Sequence, residues 1–310
     1  YRPSAVRLFT TRFILGMFDE TEYDNLTYLD VETKENLAVA KRASDESIVL
    51  LKNDGILPID TGKTKVISVI GPNADSRECL VGNYYGTSSE YITALEGIRN
   101  AAGEDMRILY SDGCDLSRTK PDNLSRDYHR IAEAQAIMKR SGLVILVIGL
   151  NETLEGEEGD EGNQYKSGDK PDLLFPKTQR KLIDAVIASG KPLITVVMAG
   201  SAMDLSVLND KSSAILQAWY PGARGGQSIG DILFGKVNPS GKLPVTFYKD
   251  TNDLPDFEDY SMKGRTYRYL ETEPLYPFGY GLTYGNLDIT AVDLEGEDPK
   301  NGGLTVKVNV

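Results

Sequence analysis

The stretch Leu143-Val144-Ile145-Leu146-Val147-Ile148, closed by Gly149, carries no polar side chain over six positions. An apolar run of this length reads as a strand buried on both faces. The same texture recurs on either side. Upstream, Val66–Ile70 reads as a strand ending in Gly71-Pro72-Asn73, Thr93–Ala102 as a helix, Met106–Tyr110 as a strand and Asp127–Arg140 as a helix. Downstream come a helix over Pro176–Ser189, strands over Pro192–Met198 and Ala214–Trp219, and a helix over Gly226–Phe234. Apolar strands alternating with amphipathic helices predict an α/β fold with a largely parallel sheet covered on both faces. Such sheets bind ligands at the carboxyl ends of their strands, here the loops after Ile70, Ile148, Met198 and Trp219.

The flanks have a different pattern. Val6, Phe9, Phe13, Ile14 and Met17 recur at helical spacing within residues 1–20. Residues 32–52 are expected to form a second helix ending in Ser47-Ile48-Val49-Leu50-Leu51-Lys52, with a turn at Asn53-Asp54-Gly55. Beyond Gly235 runs a long connection rich in Pro, Asp and Tyr, to about Tyr284. Leu287-Asp288-Ile289 and Leu304–Val308 then read as strands, the opening of a β-sandwich whose remaining strands are missing. With no initiator Met and no signal or transit pattern, residue 1 is expected to lie inside a longer protein, and the compartment is left open.

Composition removes several functions. The 310 residues suggest about two domains. A net charge of −12 argues against a nucleic-acid partner, whose phosphates attract Lys and Arg. No apolar run is long enough for a helical membrane span, so no membrane partner is expected. The two cysteines, Cys79 and Cys114, leave room for one bridge and no four-thiolate metal site. The lone histidine, His129, excludes His-rich zinc sites and HExxH proteases. No G-x-G-x-x-G and no complete phosphate-loop motif occurs, which speaks against nucleotide chemistry.

What the chain has is carboxylate. The connection from Gly149 to Asp169 holds seven acids from Glu152 onward, interleaved by four glycines. A solvated acidic loop explains the composition equally well, and the EF-hand order is absent. Glycines nevertheless let the backbone fold tightly and aim individual acids, and crowding favours keeping one carboxyl protonated. That is what a general acid for acetal hydrolysis requires. Gln217–Gly226, at another strand end, holds the sole tryptophan, Trp219, with Tyr220 and Arg224. Aromatic faces suit the C–H faces of sugars, although a core tryptophan beside a turn is the simpler alternative.

In combination these residues resemble the carboxy-terminal portion of family 3 glycoside hydrolases, of the β-xylosidase/β-glucosidase type. The resemblance rests on Ser47–Asn53, Val69-Ile70-Gly71-Pro72-Asn73-Ala74, Gly82-Asn83-Tyr84-Tyr85-Gly86-Thr87, Gln217–Gly226, Ser240–Phe247 and Pro274–Leu282, in order along nearly the whole chain. It implies a six-stranded, mostly parallel α/β sandwich over 36–248. Residues 1–35 would be the tail of a (β/α)8-type barrel domain and its linker, 249–285 a long connection, and 286–310 a truncated fibronectin-III-like domain. The implied activity is exo-acting, retaining hydrolysis of terminal β-linked xylose or glucose. An Asp nucleophile would lie in the upstream barrel, and the acid/base on the loop after Leu143–Ile148.

Glu155 matches the family position best, with Glu158 and Glu157 as competitors. Here Asp160-Glu161 stands where the family pattern has Asp-Arg. Asn83, Tyr84 and Trp219 are implied to line the sugar site, and Asn83-Tyr84 with Arg265–Tyr269 lean towards xylose. The resemblance implies no metal and no organic cofactor. Implied partners are a β-linked oligosaccharide or aryl glycoside and the upstream barrel, with homo-oligomerisation open. The alternative is a non-catalytic carbohydrate-binding or scaffold module.

Overall fold

The computed structural model describes residues 1–310 except 84, 105, 118–128, 157–169, 250, 257, 286–289, 296–304 and 310. The chain forms two compact units, Tyr1–Val39 and Ala40–Val310. In the first, helix α1 spans Arg2–Ile14 with a proline in its opening turn, where a missing N–H does no harm. Phe18 folds back so that its ring lies 4.5 Å from that of Phe13. The Asn36 side chain donates to the carbonyls of Asp30 and Val31. Helix α2, Lys34–Ser47, crosses the boundary between the units.

The second unit is built on a six-stranded sheet. In chain order, β1 is Val49–Asn53, β2 Val66–Ile70, α3 Ala94–Ala102, β3 Arg107–Ser111, α4 His129–Met138 and β4 Leu143–Gly149. Then follow α5 Lys177–Ala188, β5 Leu193–Met198, α6 Ser206–Lys211, β6 Ala214–Gln217 and α7 Gly225–Leu233. The strand order is β1-β6-β5-β4-β2-β3, parallel throughout except for the antiparallel edge strand β1.

The side-chain period of two explains the apolar run of β4. Ile145 and Val147 face α3 and α7, meeting Leu95, Ile98, Ile229 and Ile232. Val144, Leu146 and Ile148 face α4 and α5, meeting Met138, Leu182 and Val186. Both faces are therefore dry, which is why no polar residue interrupts the strand. Thr93 begins α3 with a reciprocal cap. Its hydroxyl accepts from the Glu96 N–H, and the Glu96 carboxylate accepts from the Thr93 N–H.

The helix expected over 32–52 stops at Ser47, and Val49–Asn53 is a strand. Ile48 and Leu50 enter one face of the core, and Val49 and Leu51 the other. A helix would have put one stripe of this run into the core. Alternation buries all four residues. The 249–285 connection carries a short helix α8, Thr266–Tyr269, and then returns to the sheet edge. Leu282 donates its N–H to the Leu50 carbonyl at 2.8 Å, and Phe247 pairs with Tyr276. The unpaired side of β1 is thus partly covered, as an exposed strand edge requires. Strands β7, Ala291–Glu295, and β8, Thr305–Asn309, form an antiparallel pair.

Cys79 and Cys114 are free and buried, so the bridge left open by the sequence is not formed. Burial pushes both thiols up to about 12. The thiolate is the reactive form. Ellman's reagent at pH 8 is therefore expected to label neither cysteine in the folded chain and both after denaturation. Rapid labelling of the native chain would contradict this packing.

Candidate active site

The carboxyl ends of β4, β5 and β6 deliver one cluster. At the end of β4, Gly149 has φ +153°, and a Cβ there would lie 1.8 Å from the Met198 carbonyl oxygen. Only glycine lets the chain leave β4 so close to β5. Asn151 follows, buried, and its carbonyl accepts from the N–H groups of Leu154 and Glu155, each at 3.0 Å. The Asn151 side-chain oxygen accepts from the Thr153 N–H at 3.1 Å and from its hydroxyl at 2.7 Å. Leu154 is fully buried and anchors this turn in the core. Together these contacts fix the backbone of Glu155.

The Glu155 carboxylate is held from the neighbouring strand ends. The Gly200 N–H donates to Oε2 at 2.7 Å. The Ser201 hydroxyl donates to Oε1 and the Tyr220 hydroxyl to Oε2. Gly200 is small because a Cβ there would lie 3.0 Å from the Tyr220 ring and 3.3 Å from Glu155 Oε2. Burial, with the charge of Glu155 beside it, pushes the Tyr220 phenol far above its ordinary value, so it remains a donor. Two of the three partners are hydroxyls, which donate to a carboxylate and can turn to accept from a carboxylic acid. The cluster therefore accommodates both protonation states of Glu155.

Trp219 sits in the left-handed region at φ +56°, a conformation that costs a bulky residue roughly 1–2 kcal/mol. The turn sends consecutive aromatics in opposite directions. Tyr220 reaches Glu155, while Trp219 donates its indole N–H to the Ser47 carbonyl at 3.0 Å and lies edge-on to Phe247. Asn83 is exposed and donates from Nδ2 to the Glu155 carbonyl at 3.3 Å. Tyr84, Glu157 and Glu158 lie outside the described residues. Arg224 pairs with Glu90 at 3.1 Å.

Of the residues proposed from sequence, Glu155 and Asn83 come together directly, and Trp219 supports the turn that brings Tyr220 in. Ser201, Gly200 and Lys170 were not picked out, and Tyr220 was noted only as the neighbour of Trp219. Their types are commonplace, and only the tertiary structure, which brings them to the ends of β5 and β6, distinguishes them. Glu152 was also missed. Burial, with Glu78 nearby, raises its carboxyl above the ordinary range. Among the described residues no group of His, Cys, Asp and Glu is arranged to hold a metal ion. Nor is any helix there long and apolar enough to cross a membrane.

The motif at Arg265–Tyr269 lies elsewhere. It borders an open groove of about 540 Å³ whose lining includes Tyr248, Tyr267, Tyr269 and Phe278. Glu155 is not in that lining. Arg265 is occupied in donating to the carbonyls of Asp256, Asp259 and Ser261.

Residues 48–284, from the start of β1 to the end of the segment that covers its edge, match the model of the glycosyl hydrolase family 3 C-terminal domain. The chain belongs to glycoside hydrolase family 3. The chain is 33% identical to a β-xylosidase of Formosa agariphila, over 98% of its length and 42% of that protein. It is 32% identical to a periplasmic β-glucosidase of Salmonella typhimurium, over 91% of this chain and 39% of that protein. A solved GH3 exo-β-xylosidase in complex with a xylobiose aziridine activity-based probe superposes with a TM-score of 0.77 at 31% identity. That match covers 91% of this chain and 36% of the other. The chain thus spans about 40% of the length of these two curated relatives.

Proposed function

We propose that this chain carries the second domain of an exo-acting, retaining β-glycosidase that releases terminal β-linked xylose or glucose. Glu155 serves as acid/base, and an Asp nucleophile stands on a barrel domain upstream. The observation that carries the reading is the carboxylate of Glu155, presented at the carboxyl end of β4 and gripped by donors from the ends of β5 and β6. Ligands of open α/β sheets bind at such a place.

In the first half-reaction the nucleophile's oxygen bonds to the anomeric carbon as the bond to the leaving oxygen breaks, and that oxygen takes the proton of Glu155. In the second, ionised Glu155 removes a proton from water, whose oxygen attacks the same carbon and releases the nucleophile. The three donors suit the ionised form, and the rotatable hydroxyls suit the protonated one. Asn83, Tyr84 and Trp219 are proposed to line the sugar, and Glu158 and Glu157 are the competing acids on the same loop. Named relatives act on both sugars. A methylene-sized difference is worth only about 1–3 kcal/mol in an apolar pocket, so a mixed specificity is expected.

The test is hydrolysis of nitrophenyl β-xyloside and β-glucoside by this chain alone and by the chain joined to its upstream region. The expected result is activity in the joined form only, the rate ratio naming the sugar. Full activity of the chain alone would place the nucleophile among its own carboxylates and overturn the shared site. Sugar binding without hydrolysis in either form would favour the scaffold or carbohydrate-binding alternative.

A further inference from the structure

Lys170 sits where an ammonium is expensive to keep. Its side chain is largely buried, and burial lowers it below the ordinary lysine range, while the carboxylates of Glu155 and Asp172 pull the other way. None of the ion pairs formed among the described residues includes it. Its Nζ donates to the Ala202 carbonyl at 3.0 Å and approaches Met203 Sδ at 3.2 Å. A methionine would fill the same volume without the desolvation penalty. Packing alone therefore does not account for a lysine here.

Its partner does. Ala202 continues the segment whose Gly200 N–H and Ser201 hydroxyl hold the Glu155 carboxylate. We infer that Lys170 is a positioning residue for Glu155: by donating to the Ala202 carbonyl it fixes Gly200-Ser201-Ala202 where that segment receives the carboxylate. The segment is a connection outside β5 and α6, with no ladder hydrogen bonds to hold it, so a buried charge-assisted bond restrains it strongly. The catalytic consequence rests on Glu155 being the acid/base, whereas the positioning itself does not.

Two readouts separate these layers. The first is amide exchange at Gly200 in the full protein. Lys170→Met is expected to speed exchange there by about 10-fold or more without lowering the melting temperature, and Lys170→Arg to stay close to wild type. Unchanged exchange at Gly200 in Lys170→Met overturns the inference. Should Lys170→Met not fold, Lys170→Gln takes its place under the same criterion. The second is leaving-group dependence. In Lys170→Met, kcat for xylobiose should fall about 10-fold with KM unchanged, against less than about twofold for dinitrophenyl β-xyloside. Equal losses on both substrates overturn positioning of the acid. A wild-type protein that hydrolyses neither glycoside refutes the proposed function alone, because the exchange at Gly200 still decides the role of Lys170.

Discussion

Replacing Glu155 by alanine in the full protein should slow hydrolysis of a natural β-disaccharide by about 10²–10⁴-fold, the span expected for a lost general acid. A dinitrophenyl β-glycoside, whose leaving group departs without a proton, should lose far less in the first half-reaction. External azide should restore turnover, because it attacks the glycosyl-enzyme without needing a base. The origin of this pattern is local. The Glu155 backbone is fixed by the Asn151 carbonyl and its carboxylate by Gly200, Ser201 and Tyr220, so removal deletes one proton donor and leaves its frame standing. If Glu158→Ala or Glu157→Ala gives azide rescue and Glu155→Ala does not, the acid lies further along the loop. Glu155 would then be the anchor of that loop.

The second large effect concerns the packing of two helices. Replacing Gly97 by alanine should destabilise the domain by about 3 kcal/mol net, at the upper end of ordinary overpacking. Helices α3 and α7 touch backbone to backbone. A Cβ on Gly97 would lie 1.7 Å from the Gly226 carbonyl oxygen, and one on Gly226 would lie 1.9 Å from that of Thr93. Alanine gains about 1 kcal/mol of helix propensity over glycine. The clash outweighs it, since a carbonyl cannot rotate aside as a side chain can. For a domain of this size the melting temperature should fall by about 6–12 °C. Gly86→Ala is the control, because nothing lies within 4 Å of a Cβ there. A fall of less than about 2 °C in Gly97→Ala would mean that the helices part easily.

Much of the sheet was legible because burial on two faces writes itself into consecutive residues. Val66–Ile70 has the bounds expected for it, and Leu143–Gly149 extends the expected strand by one residue. The expected strand at Ala214–Trp219 ends at Gln217, because the left-handed backbone of Trp219 breaks the ladder. The run Ile48–Leu51 was misread, since four apolar residues after a helix continue its pattern as well as they begin a strand. Pairing of β1 with β6, more than 150 residues away, settled it. Helix α6 was missed altogether, being a single short element with little apolar periodicity.

The sequence by itself determined the family, the alternation of buried strands and covering helices, and the acidic loop after β4 as the place to look. These properties depend on residue order along one segment, and local patterning records them. Which partners engage Glu155 was decided only by the tertiary structure. Its donors come from 45, 46 and 65 residues downstream, and Lys170 donates to the Ala202 carbonyl of the same segment. One carboxylate among seven looks like its neighbours in the chain. The hydrogen bonds that hold Glu155 exist only once β4, β5 and β6 lie side by side.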